Sequence, residues 1–163
     1  MLDQRKPTPF VSVILPTYNR ASLVGRAIQS ILHQDFQDFE IILIDDGSTD
    51  GTQHLFKDLS DARVNYIRLD KNRGIGVARH TGLSHARGDY IAFLDADDIW
   101  LEGKLSLQLR AFDLFPRIEL IFGNYVNINQ VLGTQELGFT QTRARDARQL
   151  KTEVERLFRQ NTP

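Results

Sequence analysis

The sequence has 163 residues, of which 20 are Lys or Arg and 21 are Asp or Glu, so its formal net charge is −1. A chain of this length suits one domain with a single core, and its balanced charge excludes a polybasic nucleic-acid binder. It contains no cysteine, which excludes disulfide scaffolds, thiol catalysis and Cys-ligated zinc. Its apolar runs are too short to span a bilayer. We therefore expect one globular domain over 1–163, with no nucleic acid among its partners.

Strand-like and helix-like segments alternate four times over the first two thirds of the chain. Apolar runs predict strands at 10–15, 39–44, 64–69 and 90–94. Apolar residues at helical spacing predict helices at 21–34, 52–59, 76–86 and 101–115. Pro16 is expected to close the first strand, and the third strand to be less central because its composition is mixed. The alternation predicts an α/β fold, with a Rossmann-like, mostly parallel sheet and helices on both faces.

The last part of the sequence is less regular. It predicts short strands at 120–122 and 125–131, a loop over 135–142 and an amphipathic helix over 145–158. The basic residues of this closing helix could contact an anionic membrane surface, which makes peripheral membrane association a candidate property. Acidic residues interrupt the basic face, so a docked helix with a solvated basic face is the favoured interpretation.

Aspartate is unevenly distributed along the chain. Asp outnumbers Glu by 15 to 6, and 12 of the 15 Asp residues lie within 35–98. Asp favours turns, helix caps and sites with oxygen ligands. Because ligands collect at the carboxyl ends of parallel strands, the segments 16–20, 45–50 and 95–98 are the candidate site.

The triplet Asp95-Ala96-Asp97 carries two carboxylates that can converge on one point, because alternate residues of a strand point to the same side. Two hard anionic ligands suit Mg²⁺ or Mn²⁺ bound to phosphate oxygens, where the ion would neutralise charge on a leaving diphosphate. An isolated D-x-D triplet more often caps a helix or lies in a solvated loop, and Asp98 fits that interpretation. The preceding apolar strand and a second acidic strand end favour metal binding here.

The second acidic strand end is Asp45-Asp46. Two adjacent carboxylates repel each other, so we expect the fold to separate them. One would accept hydrogen bonds from backbone N–H groups, and the other would face the ligand, where it can accept from a pyrimidine imide or from ribose hydroxyls. The following Gly-Ser-Thr-Asp-Gly, at 47–51, is explained by a turn and a cap alone, whereas Asp46 is the favoured ligand residue.

Segment 16–20 follows the first strand, where a nicotinamide enzyme would carry G-x-G-x-x-G, and that pattern is absent. Tyr18 offers a flat face for stacking a base and Thr17 a hydroxyl, although ordinary packing explains a Tyr here equally well. The glycines of 72–76, before a helix that bears Arg79, suit the approach of a phosphate; a turn with a solvated Arg is the alternative. The four histidines lack metal-ligand spacing and are interpreted as surface or supporting residues.

Four motifs in order resemble the nucleotide-sugar half of a family-2 glycosyltransferase with the inverting GT-A fold. These motifs are VSVILPTYNR, FEIILIDDGSTDGT, NRGIGVARHTG and ARGDYIAFLDADD, and the resemblance covers about residues 9–115. His80 stands where the family commonly has Asn. The residues that the resemblance implies for nucleotide-sugar binding are Pro16, Thr17, Tyr18, Asp45, Asp46, Gly74, Arg79, Asp95 and Ala96. It also implies that Asp95 and Asp97 hold the donor diphosphate through Mn²⁺ or Mg²⁺.

The acceptor side of the family pattern is not found in this sequence. The family uses a carboxylate, often in a Glu-Asp pair, as general base, and residues 99–163 contain no such pair. We therefore expect one GT-A domain that lacks its acceptor-binding part, a catalytic base beyond Pro163 and a chain inactive by itself.

The expected function is transfer of a sugar from a nucleotide-diphospho-sugar, a UDP-sugar in the first instance, to a hydroxyl of a glycan, lipid or protein acceptor. The resemblance implies an enzyme of cell-envelope polysaccharide synthesis, located in the cytoplasm or at the inner face of the membrane. The alternative is a non-catalytic nucleotide-binding module of the same fold. A phosphoacceptor receiver domain is set aside, because its acidic pair would follow the first strand.

Overall fold

The computed structural model describes residues 8–56, 60–129 and 134–137. The chain divides into two units, Met1–Arg117 and Ile118–Pro163, which are described separately. The strands of the first unit are β1 (Val11–Thr17), β2 (Phe39–Asp45), β3 (Val64–Arg68) and β4 (Tyr90–Phe93). Its helices are α1 (Val24–Leu32), α2 (Thr52–Leu55), α3 (Ile75–His85) and α4 (Lys104–Leu114). The predicted alternation of strands and helices is confirmed.

The four strands form one parallel sheet in the order β3-β2-β1-β4. The chain moves from β1 to β2 and β3 in one direction, and β4 then pairs with the other side of β1. This reversal makes a crevice between the carboxyl ends of β1 and β4, which is where open α/β sheets bind their ligands. The less central position predicted for β3 is also confirmed, since it forms an edge of the sheet.

Both faces of the sheet are covered by helices, as predicted. On one face, alternate residues of β1 and β2 such as Val13, Leu15 and Ile41 pack with α1 residues in the main core cluster. On the other face, Ile42 and Ile44 pack with Ala78 of α3. Side chains of a buried strand point alternately to the two faces, which explains why β1 and β2 are near-continuous apolar runs.

At the amino-terminal ends of the strands, called here the amino-terminal edge of the sheet, polar groups form a hydrogen-bonded network. The Ser12 hydroxyl donates to Glu40 Oε1 at 2.8 Å, and the Arg87 guanidinium donates to Glu40 Oε2 at 2.6 Å. The backbone N–H groups of Arg87 and Gly88 both donate to Ser12 Oγ. A Cβ on Gly88 would lie 2.6 Å from the Ser12 nitrogen, so only glycine fits this close approach. The network fixes the turn that leads from α3 into β4.

Several predicted boundaries differ from the structure. β1 runs through Pro16 to Thr17, whereas Pro16 was expected to end it. A backbone N–H at position 16 would face β4. Because β4 pairs with β1 only as far as Ile14, the N–H that proline lacks would have no partner there, and no hydrogen bond of the sheet is lost. The described part of the second helix is the single turn α2, and residues 57–59 of the prediction lie outside the described residues.

The second unit contains an antiparallel pair, β5 (Val126–Asn129) and β6 (Thr134–Leu137). The strand predicted at 125–131 is confirmed over β5, while 120–122 is not a strand and β6 occupies part of a predicted loop. The β6 sequence Thr-Gln-Glu-Leu carries little apolar signal, which explains the wrong prediction. The helix predicted at 145–158 lies outside the described residues. Among the described residues, no helix has the length and apolar character needed to cross a bilayer.

Candidate active site

The segments that follow the carboxyl ends of β1, β2, β3 and β4, together with the first residues of α3, line one open cavity of about 370 Å³. The predicted site residues in its lining are Pro16, Thr17, Tyr18, Asp46, Gly74, Asp95, Ala96 and Asp97. Segments that are far apart in the sequence therefore meet where the strand order reverses. Two predicted residues, Asp45 and Arg79, are not part of the lining. Arg20, which belongs to the candidate segment 16–20 but was assigned no role of its own, is part of it.

The adjacent carboxylates of Asp45 and Asp46 have different surroundings, as expected. Asp45 is fully buried; its Oδ1 accepts the Ser48 N–H at 2.8 Å, and its Oδ2 accepts the Tyr66 hydroxyl at 2.6 Å. Burial and the hydrogen bond to Asp45 raise the pKa of Tyr66 well above its usual value. Asp45 thus holds the turn after β2, and Asp46 is the member of the pair that lines the cavity.

Asp46 also organises the loop before α3. Its Oδ1 accepts the Arg73 N–H and its Oδ2 accepts the Gly74 N–H, both at 2.8 Å. Gly74 has a φ of +88°, a conformation that residues with a side chain rarely adopt. Each carboxylate oxygen has two acceptor positions, so Asp46 can accept a further hydrogen bond from a ligand.

The loop after β1 is fixed by the loop after β2. The Asn19 N–H donates to Ser48 Oγ at 2.9 Å, and the Asn19 side chain accepts the Thr49 N–H at 2.8 Å. Asn19 itself has a φ of +50°, and strained positions of this kind are often found at functional sites. Asp50 accepts the Ala21 N–H at 2.9 Å. Segment 47–51 therefore positions Tyr18 and Arg20, a role that its interpretation as a turn alone did not include.

The acidic turn after β4 is paired with two arginines. Arg79 NH2 donates to Asp95 Oδ1 at 2.8 Å, and Arg20 Nε donates to Asp97 Oδ2 at 3.4 Å. All four side chains are about half exposed. Burial and the neighbouring charges of Asp97 and Asp95 raise the pKa of Asp98 above its usual value. The turn therefore keeps a local excess of negative charge although two guanidinium groups lie against it.

Two buried polar atoms of the described residues have no hydrogen-bond partner: Thr17 Oγ1 and Arg79 Nε. Most buried polar groups in native proteins are paired, so an unpaired one requires an explanation. Thr17 lines the cavity, and a polar ligand atom there would satisfy its hydroxyl.

The profile of Glycosyl transferase family 2 matches residues 12–158. The chain belongs to this family. The β-1,3-glucosyltransferase WfgD of Escherichia coli, named for UDP-Glc and α-D-GlcNAc-diphosphoundecaprenol, is 37% identical over 125 residues. The match covers 76% of this chain and 49% of WfgD, so the chain spans about half the length of that relative.

Two solved structures share the GT-A fold of this chain. S. aureus TarS 1–349 in complex with UDP-GlcNAc is 33% identical with a TM-score of 0.56, over 63% of this chain and 30% of the TarS 1–349 chain. The mannosyltransferase PcManGT of Pyrobaculum calidifontis, in complex with GDP-Man and Mn²⁺, is 32% identical with a TM-score of 0.54. That match covers 59% of this chain and 30% of PcManGT. This family-2 chain corresponds to the N-terminal portion of such enzymes.

The donor set at the acidic turn fits a divalent cation that also has ligands from elsewhere. The described residues contain no group of three His, Cys, Asp or Glu side chains placed to hold a metal ion. Asp95 and Asp97 provide hard oxygen ligands at a half-exposed place beside the cavity. Mg²⁺ in phosphate-transfer sites is typically bound by one or two carboxylates together with phosphates and water, which matches this arrangement.

The segment after the acidic turn is tied to α1 and to Gln34, just beyond the end of α1, in this family-2 chain. Ser30 Oγ accepts the Trp100 N–H at 3.1 Å. The Gln34 side chain donates to the Leu101 carbonyl at 2.9 Å and accepts the Leu105 N–H at 3.0 Å. These hydrogen bonds fix the position of the segment that follows Asp95 and Asp97 in the sequence. They were not predicted, because polar residues on an amphipathic helix are normally solvated.

A larger open groove of about 610 Å³ lies between α1 and the segment around Trp100. None of the predicted site residues lines it. Beside it, Lys104 Nζ lies 3.7 Å from the centre of the Trp100 ring, and burial lowers the pKa of Lys104 to about 8. The cavity at the strand ends, with its carboxylates and its unpaired hydroxyl, is therefore the better candidate for a polar ligand.

Proposed function

We propose that this chain binds the donor of an inverting glycosyltransferase, a UDP-sugar, with Mn²⁺ or Mg²⁺, for transfer of the sugar to an acceptor hydroxyl. The observation that carries the proposal is the single cavity lined by Asp46, Thr17 and Tyr18 on one side and by Asp95 and Asp97 on the other. The first group suits a nucleoside, and the second suits a metal-bound diphosphate. Membership of family 2 favours an enzyme over a non-catalytic nucleotide-binding module.

The nucleoside part of the proposal rests on three side chains. The Tyr18 side chain is 42% exposed, which leaves a ring surface free to stack on a base. Asp46 would accept the imide N–H of uracil, and Thr17 Oγ1 would gain the partner that it lacks. The UDP-Glc for which WfgD is named and the UDP-GlcNAc bound to TarS support uracil, while the GDP-Man bound to PcManGT makes guanine the competing base. Pro16 and Gly74 would shape the pocket, with Asp45 holding the turn from beneath.

The diphosphate part rests on the acidic turn. Asp95 and Asp97 would hold the cation, and Ala96 between them would let the donor approach the backbone closely. The cation would neutralise the negative charge that develops on the leaving diphosphate. Arg79 would contribute a second positive charge beside the donor, oriented by its ion pair with Asp95. The Mn²⁺ bound to PcManGT supports this choice of cofactor.

The acceptor and the general base are proposed from the relatives of this chain and from the chemistry of inverting transfer. WfgD is named for an undecaprenol-linked acceptor, so we propose an acceptor of cell-envelope polysaccharide synthesis, reached from the cytoplasm at the inner face of the membrane. Inverting transfer needs a positioned base on the acceptor hydroxyl, typically contributing ~10²–10⁴-fold. We assign this base to the acceptor-binding part that longer family members carry. The 163-residue chain is therefore expected to bind donor without efficient transfer.

Thermal unfolding with a panel of nucleoside diphosphates tests the donor assignment. UDP with Mn²⁺ should raise the unfolding midpoint most, GDP less, and Mn²⁺ alone least, because only ligands of the folded state stabilise it. Asp46→Asn should weaken the response to UDP with or without metal, whereas Asp97→Ala should weaken only the metal-dependent part. The absence of any shift with every nucleotide would refute the proposed donor site.

A further inference from the structure

The two arginines at the acidic turn hold their carboxylates differently. Arg79 makes the shorter contact, and its guanidinium also lies over the Phe93 ring at 5.9 Å from the ring centre. Arg20 reaches Asp97 with Nε at 3.4 Å, and its one other hydrogen bond to the described residues runs from NH1 to the neighbouring Asn19 carbonyl at 3.3 Å. The Arg20 and Asp97 side chains are 47% and 51% exposed. Exposed ion pairs of this kind contribute little free energy, so the contact between Arg20 and Asp97 can be replaced by another at a small free-energy cost.

The backbone that carries Arg20 is, in contrast, firmly held. Asn19 is fixed by Ser48 and Thr49, and the Ala21 N–H donates to Asp50. Arg20 can therefore reorient its side chain while its Cα stays in place. Arg20 lines the same cavity as Tyr18 and Asp97. Its guanidinium can therefore contact either the Asp97 carboxylate or a diphosphate bound in that cavity.

We propose that Arg20 is an exchangeable counter-ion for Asp97. When no donor is bound, Arg20 neutralises the Asp97 carboxylate. When a donor binds, its diphosphate pairs with the Arg20 guanidinium, and Asp97 becomes free to bind a divalent cation. The inference rests on the proposed function, because it requires a diphosphate in the cavity. It assigns to Arg20 a positioning role. Guanidinium groups bind phosphate oxygens through paired hydrogen bonds, which are stronger than the single contact to Asp97.

The consequence is that nucleotide and metal bind cooperatively. A cation that arrives alone meets a carboxylate already neutralised by Arg20 and a positive charge a few ångströms away. With a diphosphate bound, both obstacles are removed, so each ligand increases the affinity for the other by the same factor. This coupling ensures that the metal is held tightly only when there is a leaving group for it to stabilise.

Titration of Mn²⁺ against the 163-residue chain, with the free ion followed by electron paramagnetic resonance, tests this coupling. Affinities for Mn²⁺ are measured with and without UDP in the wild type, in Arg20→Met and in Arg26→Met. Arg26 is an exposed arginine of α1 and is the matched control for the loss of one positive charge. Arg20→Met should bind Mn²⁺ alone about 3- to 10-fold more tightly than the wild type, and UDP should add correspondingly less.

A further variant, Arg20→Lys, retains the charge and should bind Mn²⁺ alone with nearly wild-type affinity. The inference is overturned if UDP and Mn²⁺ both bind the wild type but Arg20→Met shows the same affinity for Mn²⁺ alone and the same coupling. A gain in Mn²⁺ affinity in Arg26→Met equal to that in Arg20→Met would also overturn it. Failure of UDP to bind the wild type at all would instead refute the proposed function, and the inference with it.

Discussion

The strands of the parallel sheet have an amino-terminal end, around Glu40, and a carboxyl end, around Asp95 and Asp97, called here the amino-terminal edge and the carboxyl edge. The two edges use the same chemical groups in opposite ways. At the amino-terminal edge, Glu40 is 5% exposed and accepts hydrogen bonds from Ser12 and Arg87. At the carboxyl edge, Asp95 and Asp97 are about half exposed, and each has a single contact to an arginine. Both edges thus pair carboxylates with arginines, but Glu40 is buried and fully hydrogen-bonded, whereas Asp95 and Asp97 keep free acceptor positions.

This difference separates a structural network from a ligand site. A buried carboxylate with complete hydrogen bonding holds its surroundings in place and offers no free position to a ligand. The carboxyl edge instead has half-exposed ion pairs, the unpaired hydroxyl of Thr17 and the left-handed Asn19. A carboxylate–arginine pair therefore indicates function only when its geometry is known, and substitutions at the two edges should have separable effects.

Replacement of Asp97 should produce the largest effect, on ligand binding. Asp97→Ala removes one of two protein carboxylates proposed to hold the cation, so UDP affinity in the presence of Mn²⁺ should fall about 10- to 100-fold. Its stability should change by less than about 0.5 kcal/mol, because the side chain is half exposed. Isothermal titration and chemical denaturation measure the two quantities. Asp113→Ala, an exposed carboxylate on α4, is the control and should leave both unchanged.

Replacement of Glu40 should have the reverse pattern. Burial raises the pKa of Glu40, but hydrogen bonds from Arg87 and Ser12 outweigh it and leave the pKa below its usual value. Its charged form therefore stabilises the fold at neutral pH, and this contribution is lost as the pH falls through the lowered pKa. Glu40→Gln should destabilise the protein by about 1–2 kcal/mol at pH 7 and flatten its acid unfolding.

UDP binding by Glu40→Gln should remain at the wild-type level, because the amino-terminal edge is remote from the cavity. Glu102→Gln, in which an exposed glutamate is changed in the same way, is the control for stability. If Glu40→Gln lost UDP affinity while it remained folded, the division between a structural and a ligand-binding edge would be wrong.

The sequence was sufficient to predict the parts of this comparison that depend on local pattern. Apolar runs followed directly by acidic residues identified β2 and β4 and placed Asp46, Asp95 and Asp97 at strand ends. These signals are local because strand length, alternation and turn composition are set by neighbouring residues. The predicted separation of Asp45 from Asp46 follows from their mutual repulsion, and the structure shows which of them lines the cavity.

The remaining features depend on loops that meet only in the folded chain. The contacts of Arg20 with Asp97 and of Asn19 with Ser48 join residues from different loops, and no local pattern in either loop indicates them. Gln34 similarly had no visible reason to be buried until the segment after β4 packed against α1. Strand order and register bring these pairs together, and both are tertiary properties.

Lys104 gives the smallest predicted effect and extends the comparison to a partly buried cation. Burial lowers its pKa to about 8, so between pH 8 and 9.5 the folded protein loses a proton that the unfolded chain retains. Stability should therefore rise with pH in this window. Lys104→Met should raise stability by about 1 kcal/mol at pH 7 and remove that rise, as followed by urea denaturation. Lys71→Met, at an exposed position, should do neither; a rise that persists in Lys104→Met would contradict the assignment.

A crystal structure of the chain with UDP and Mn²⁺ tests the central claim most directly, because anomalous scattering locates the metal independently of the model for the nucleotide. We predict a manganese peak in contact with Asp95 or Asp97 and with phosphate oxygens of UDP. The uracil should lie beside Tyr18 and Asp46, and Arg20 should have left Asp97. A nucleotide bound outside this cavity, or a metal with no contact to the acidic turn, would contradict the account.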